Sequence, residues 1–364
     1  MTATKPCLQC KRQFTPKSKV NVYCSVTCRW DASNGRQRSE SVARLETGFA
    51  WPVIEPAKPH KVVAPVRKKA PTVGKWKTAV ILPDQQFGYR VDLDGTFQPF
   101  HDPRAIEVAE MIVEAERPDL TVMLGDLNDM PAHGKYRQEP SFIPGTQRGL
   151  DRAAEHVATV AALSGETRII QGNHDARLEN SILDNALASA GLRRARRTPG
   201  EYPVLTIPYL LGIDDMPNVK WIGGYPSGAT YINENLAAIH GRVTGNNLAD
   251  KVLASERVSV VMGHIHRIFD GMMTRNYRNG PKFTRAFSPG CLCRIDGAVP
   301  SMKSGNDPWL KPAKSWEDWQ QGVAIVRYEE GDGRFCVEMV PIFEGWARHQ
   351  GADFTSTKDV EADW

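Results

Sequence analysis

No apolar run in the 364 residues approaches the ~20 needed to cross a bilayer; stretches such as Val258–Met262 are far shorter. No membrane association is therefore expected. The first thirty residues also lack the apolar core of a secretory signal and carry cysteines, lysines and arginines instead, so the expected location is cytoplasmic. Acidic residues are scarce at the start: Met1–Thr78 holds 4 Asp and Glu against 16 Lys and Arg, whereas the remainder holds 38 against 30. A basic arm thus precedes an acidic body, and a second basic knot, RRARR at Arg193–Arg197, lies within that body. Either run alone reads as solvated surface. Together they suit a polyanionic partner, with nucleic acid and DNA in particular favoured, because phosphates attract Lys and Arg clusters largely regardless of sequence. A single core stops growing at roughly 250 to 300 residues, so two folded units are expected.

Four of the seven cysteines fall in CLQCKRQFTPKSKVNVYCSVTCRW, as the pairs Cys7/Cys10 and Cys24/Cys28. Paired cysteines on tight turns suit a tetrahedral structural zinc ion. The alternative, two disulfides, fits poorly with a reducing compartment. So short a segment buries little core, and the metal would supply most of its folding free energy. The segment resembles small treble-clef-like zinc fingers with a YCS-x-x-C second knuckle; such modules bind nucleic acid or protein. From about residue 35 to 75 the chain turns to Pro, Ala, Ser, Lys and Arg with little periodicity. This predicts a linker, since repeated prolines oppose helix and sheet alike.

After Trp76 short apolar runs alternate with helical periodicity. Strands are expected at Thr78–Leu82, Leu120–Leu124, Thr167–Ile170, Val219–Ile222, Leu236–Ile239 and Val258–Met262. Helices are expected at Pro103–Glu116 with Asp102 as cap, at Leu150–Leu163 and near Asn246–Ser255. Alternation of this kind predicts an α/β sheet structure. Beyond Phe269 the runs are shorter and β-like, at Val323–Tyr328 and Phe335–Ile342, which predicts a second sheet or a continuation of the first.

Five of these strands are each followed by polar donors. Asp84-Gln85-Gln86 comes after TAVIL, Gly125-Asp126 after LTVML, and Gly172-Asn173-His174-Asp175 after RIIQ. His240-Gly241 follows LAAI, and Gly263-His264-Ile265-His266 follows VSVVM. The C-terminal edge of strands is where open α/β sheets bind ligands, and glycines let the backbone turn sharply beside an ion. Any one of these residues could be an ordinary turn or core residue. Five sets together supply oxygen and imidazole donors suited to two divalent ions.

This set resembles the calcineurin-like metallophosphoesterase superfamily, whose signature is D-x-H, G-D-x-x-D, G-N-H-D/E, H and G-H-x-H; the likeness spans roughly Lys77–Ile342. It implies an α/β fold, a two-sheet αββα sandwich flanked by helices. It also implies that Asp84, Gln86 and His266 hold a first metal, that Asn173, His240 and His264 hold a second, and that Asp126 bridges them. His174 would donate a proton to the leaving group, oriented by Asp175. Two cations ~4 Å apart lower the pKa of a shared water and clamp both the incoming and the departing oxygen at phosphorus. Gln86 departs from the family pattern, which has His there. A neutral amide oxygen suits a hard ion, so Mn is the favoured active-site metal, with Mg, Fe or Zn as alternatives; alternatively Gln86 only bonds a metal-bound water, or the first site is impaired, but with Asp84, Asp126 and His266 all present retained activity is favoured. The Asp-x-Gln form resembles phage-type members, which would place the protein in a host cytoplasm.

Asp129 matches the last acid of the second motif and is expected to support the loop or a ligand. His133 could face substrate. Cys291 and Cys293 form a C-x-C without a partner pair and read as small buried thiols, and Trp309, Trp316 and Trp319 read as packing or base-stacking residues. The expected organisation is a finger at 1–34, a linker at 35–75, a metallophosphoesterase domain at 76–345 and a tail at 346–364. The expected activity is two-metal hydrolysis of phosphoesters, nucleic-acid diesters foremost. The alternatives are a phosphomonoesterase on protein or small molecules, and a nucleic-acid-binding adaptor with an impaired site.

Overall fold

The computed structural model describes residues 4–16, 22–29, 32, 76–134, 139–195, 202–244, 248–277, 280–301 and 318–360. The expected linker, Arg196 and Arg197 of the basic knot, Trp309 and Trp316 lie outside them. The chain divides into two compact units, Met1–Glu55 and Pro56–Trp364. Among the described residues no helix is long and apolar enough to cross a membrane.

In the first unit, β1 (Lys5–Pro6) and β2 (Gln13–Phe14) pair antiparallel. The turn between them carries Cys7 and Cys10, closed where the Cys7 amide donates to the Arg12 carbonyl at 2.9 Å.

The second unit is mixed α/β, with two larger sheets. In the first, β3 (Trp76–Leu82) is followed, after a short hairpin of β4 (Tyr89–Val91) and β5 (Phe97–Pro99), by β6 (Leu120–Met123), β7 (Glu166–Ile170) and β8 (Val219–Ile222). Strands β3, β6, β7 and β8 lie side by side in that order and run parallel. The second sheet holds β9 (Ala229–Asn233), β10 (Leu236–Ile239), β11 (Ser259–Met262), β12 (Ile268–Tyr277) and β13 (Gly280–Pro289), in the order β12-β13-β11-β10-β9. There β10, β11 and β13 run parallel, while β9 and β12 are antiparallel edges. Finally β14 (Gln321–Glu329) and β15 (Phe335–Ile342) return to the first sheet and extend it antiparallel beyond β3. The β-rich segment after Phe269 therefore does both things the sequence allowed: β12 and β13 complete one sheet, β14 and β15 the other.

Pleat alternation explains the packing. Along β3, Val80 and Leu82 join a core with Ala105, Ile106, Ala109 and Ile112 of α1 (Pro103–Glu116) and with Ala153, Val157 and Val160 of α2 (Gly145–Leu163). The intervening Ala79 and Ile81 instead meet Leu236, Ala238, Val261 and Phe287 of the other sheet. That sheet's reverse side, with Ala237, Val260 and Met262, packs on Leu248, Val252 and Leu253 of the helix Leu248–Ser255. Strands buried on both faces need continuous apolar runs, as TAVIL and VSVVM are.

Helix α1 begins where the sequence places it: the Asp102 carboxylate accepts from the Arg104 and Ala105 amides at 3.0 and 3.4 Å, with Pro103 in the first turn. Near its end, Glu116 receives His349 Nε2–H at 2.6 Å, while Nδ1 of the same ring meets Glu338 at 3.0 Å. His349 lies on β16 (Trp346–His349), which forms a hairpin with β17 (Ala352–Thr355). With a carboxylate beside each nitrogen, the buried imidazole staples helix, sheet and hairpin together.

Replacing His349 by Leu leaves Glu116 with only its Arg327 and Gln350 partners and should lower stability by about 1–3 kcal/mol, read from urea unfolding at pH 7. Burial raises the Glu116 carboxyl, but Arg327 and His349 beside it outweigh this and hold it below its ordinary 4.5. A carboxylate depressed in the folded state contributes stability above its unfolded value, lost as pH falls through the folded one. The wild-type urea midpoint should therefore drop as pH falls below 4.5.

Candidate metal centre

Donors from three parallel strands of one sheet and two of the other meet at their C-terminal ends. The loop after β3 brings Asp84 and Gln86, the loop after β6 brings Asp126, and that after β7 brings Asn173 and His174. His240 follows β10, and His264 and His266 follow β11. Asp84, Asp126 and His266 form one group with donor atoms within 4.8 Å of one another, and Asp126, His240 and His264 form a second. Asp126 belongs to both. Gln86 and Asn173 stand beside them: Gln86 Nε2 is 3.4 Å from His266 Nε2, and Asn173 Oδ1 is 3.0 Å from His240 Nε2. The seven residues expected to ligate metal are thus brought together.

The backbone is bent into the left-handed region at Asp84, Gln86, Asp126, His264 and His266, with φ between 37° and 73°. Non-glycine residues rarely adopt this, and clusters of such residues mark functional sites. Their conformations are held by hydrogen bonds across the loops. The Gln86 amide donates to the Asp126 carbonyl at 2.8 Å, and the His264 amide to Asp84 Oδ1 and Oδ2 at 2.9 and 3.1 Å. Gly172 is required by contact: a Cβ there would lie 2.1 Å from Asp126 Oδ1 and 2.2 Å from its amide nitrogen.

Imidazole orientation follows the hydrogen bonds. His240 Nδ1–H donates to the Leu124 carbonyl at 2.8 Å, which turns Nε2 toward Asp126 Oδ2, 3.4 Å away. Burial lowers the His240 pKa, but the Asp126 carboxylate outweighs it and holds the ring up at about 9. Burial and the charged His240 together pull His264 down to about 4. Burial also opposes ionisation of Asp126, yet His174 and His240 hold it well below the ordinary carboxylate range.

The environment of His174 corrects one sequence expectation. Asp175 does not orient this ring. Its carboxylate is turned inward, accepting the Asn128 and Gly172 amides at 2.9 Å each and the Leu127 amide at 3.3 Å. It pins the two motif loops together, and burial beside Asp126 pushes it up to about 6. Asp129 holds His174 instead, receiving Nδ1–H. Burial raises Asp129, but His174 and Arg177 beside it prevail and hold it below its ordinary value.

Arg177, which the sequence reading missed, donates to His174 Nε2 at 2.9 Å and to the Asp129 carbonyl at 2.6 Å. Since a guanidinium only donates, Nε2 presents its lone pair. The signal available in the sequence was position: Arg177 lies one helical turn after His174, on α3 (Ala176–Asn185). His133 sits in the turn Pro131–His133, and the neighbouring Gly134 approaches the Arg177 guanidinium. Trp319 packs edge-on against His266, ring centroids 4.0 Å apart.

Buried Asp84, Asp126, Asp129 and Asp175 gather here, and Arg177 is the one Arg or Lys bonded to this group among the described residues. Burying carboxylates without enough counter-charge is unfavourable. The buried Gln86 Oε1 and Asp129 Oδ2 also meet no donor among the described residues. Donor types, charge and orphaned oxygens all fit divalent cations.

In the first unit Cys7, Cys10, Cys24 and Cys28 form a further group within 4.8 Å. The Cys24 sulfur lies 3.5 Å from those of Cys10 and Cys28, and the Cys24 amide points at Cys7 Sγ at 3.4 Å. Desolvation raises the Cys7 thiol, but amides from Cys10 and Cys24 outweigh it and hold it at about 6. Cys24, hydrogen-bonded by the Cys10 sulfur, is pushed up to about 12. Four thiols meeting within 4.8 Å suit a tetrahedral cation.

No family model matches the chain, and no curated protein matches it. Among solved structures it is similar to YfcE, a phosphoesterase from E. coli, at 13% identity over 72% of this chain and 98% of that one, with a TM-score of 0.28. It is also similar to TT1561 of Thermus thermophilus, at 14% identity over 59% and 90% of the two chains, with a TM-score of 0.24. The chemistry of the site follows from its own residues.

Because a Cβ at residue 172 must displace Asp126, Mn2+ should raise the Tm of the wild-type protein and should not raise that of Gly172→Ala. An unchanged Mn2+-dependent rise in differential scanning calorimetry would show that Asp126 is not needed for cation binding.

Proposed function

We propose that this protein is a metal-dependent phosphoesterase with a two-metal centre, built on the two-sheet αββα sandwich of metallophosphoesterases and joined by a basic tether to a four-cysteine zinc finger. The observation that carries this is the sharing of Asp126 between the two donor groups. Asp84, Gln86 and His266 would hold one cation and Asn173, His240 and His264 the other, with Asp126 common to both. When bound, the cations supply Lewis-acid polarisation and neutralise charge at phosphorus. Mn2+ is favoured because Gln86 offers a hard, neutral oxygen donor.

The chain's own residues supply proton handling. Asp129 fixes the His174 ring by accepting Nδ1–H, so that Nε2 is the atom that exchanges protons. Nε2 lies 3.8 Å from Asp126 Oδ2, at the edge of the centre. Arg177 holds that nitrogen at rest. A phosphoryl group drawing the guanidinium to itself frees Nε2 to take up a proton from solvent and pass it to the leaving oxygen.

Nucleic-acid diesters are the favoured substrate. The support is the group of four N-terminal cysteines, the excess of Lys and Arg over the first 78 residues, and the exposed Arg193 and Arg194. Phosphomonoesters are the second reading, since the donor set does not distinguish diesters from monoesters.

With bis(p-nitrophenyl) phosphate, p-nitrophenyl phosphate and DNA as substrates and Mn2+ present, diester hydrolysis should exceed monoester hydrolysis. EDTA or Asp126→Ala should abolish it, and His174→Gln should lower kcat by about 10²–10⁴-fold. Turnover indifferent to both chelator and Asp126→Ala would refute the two-metal reading. Gln86→His should tighten the weaker of two Mn2+ binding events in calorimetry, and equal titration curves would exclude Gln86 as a ligand.

A further inference from the structure

Cys291 and Cys293 belong to the second unit and play no part in the phosphoesterase reading, yet the fold sets both beside His266. They lie in extended backbone, where Cys291 bridges Gln321 and Cys293 bridges His101. Residues two apart in such a segment share a face. The intervening Leu292 packs into the helix-covered core of the first sheet, while both thiols enter a separate small cluster with Phe100 and Val299. His266 Nδ1 lies 3.8 Å from Cys293 Sγ, and the donor atoms of His266, Cys291 and Cys293 all fall within 4.8 Å of one another. All three residues are buried. A metal-bound histidine ordinarily gives its remote N–H to a carboxylate or carbonyl; here that nitrogen faces sulfur.

We propose that Cys291, Cys293 and His266 Nδ1 form a second, soft metal site for a thiophilic d10 cation of the zinc class, and that filling it switches off the neighbouring centre. Two thiolates and an imidazole are the donor set such ions prefer over carboxylate and amide oxygen. On binding, two S–H bonds and the ring's Nδ1–H bond break, the thiol protons pass to solvent and the ring proton to Nε2 in place of any bond that nitrogen makes to a cation, and two metal–sulfur bonds and one metal–nitrogen bond form. The switch follows from the ring. Neutral imidazole has one lone pair, so a cation on Nδ1 places the proton on Nε2. That nitrogen lies 3.3 Å from Asp84 Oδ1 and is the one His266 would lend to the first metal of the proposed phosphoesterase. The coupling rests on that functional reading; the soft site itself does not.

The test uses 113Cd2+ on the full chain with diamagnetic Mg2+ in excess, followed by cadmium NMR and by thiolate-to-cadmium absorption in the ultraviolet. Wild-type protein should show two resonances in the thiolate range, one from the finger and one from the new site. Cys291→Ser and Cys293→Ser, singly and together, should lose only the second. A single thiolate resonance, unchanged in these variants, would overturn the proposal, and since it is read on the wild-type chain it stands whether or not the variants fold. Diester hydrolysis in Mn2+ should fall at least tenfold as the second resonance fills and should resist cadmium in Cys293→Ser. A second resonance without loss of hydrolysis would overturn the switch. A second resonance in a protein with no hydrolysis under any condition would sink the phosphoesterase reading and leave the soft site standing.

Discussion

The position of one carboxylate organises the second unit. Asp126 Oδ1 accepts the His174 amide at 2.7 Å, its Oδ2 faces His240, and its own carbonyl receives the Gln86 amide. Three motif loops from two sheets are therefore fixed relative to one side chain. That side chain sits where it does because Gly172 offers no Cβ to push it away. A buried acid so placed is unfavourable alone, and the charge it demands explains the surrounding histidines, the raised pKa of His240 and the fit to divalent cations.

The left-handed backbone at five donor residues follows from the same constraint. A strand that ends pointing at a cation must turn at once, or its next residues would fill the space the cation needs. Glycine makes such turns at little cost but has no donor atom, so the conformation falls on Asp, Gln and His themselves. The amide bonds from Gln86 to Asp126 and from His264 to Asp84 hold these turns against their preference. The two packed sheets supply the rigidity, through the core of Ala79, Ile81, Val261 and Phe287 between them.

The donors could be read from the sequence because each is attached to a strand whose apolar run is plain: TAVIL, LTVML and VSVVM leave little freedom in where the following residues emerge. Helix α1 was legible to both of its boundaries because Asp102 and Pro103 start it by local chemistry. What depended on long-range contact was hidden. Nothing in GNHDAR says that Asp175 turns inward to three amides while Asp129 takes the imidazole; the family resemblance implied Asp175, and the inward turn of its side chain decided against it. The staple of His349 on Glu116 and Glu338 joins residues 233 and 11 positions apart. The meeting of Cys291 and Cys293 with His266 needs the bridge to β14, which no local pattern announces.

Gln86 shows how a substitution in a motif is to be weighed. An imidazole there would bring a second strong nitrogen donor beside His266 and favour borderline ions such as Zn2+. In the proposed centre the amide would bring a weaker, harder donor, on a loop whose Gln86 backbone amide bonds the Asp126 carbonyl and whose φ at Gln86 is 52°. It would remove softness from the donor set of that proposed first centre. Directly behind that centre, on the other nitrogen of His266, lie two thiols. Hard and soft donors are thus segregated to opposite edges of one ring, so cations of different character would compete for His266 rather than for the same set of ligands.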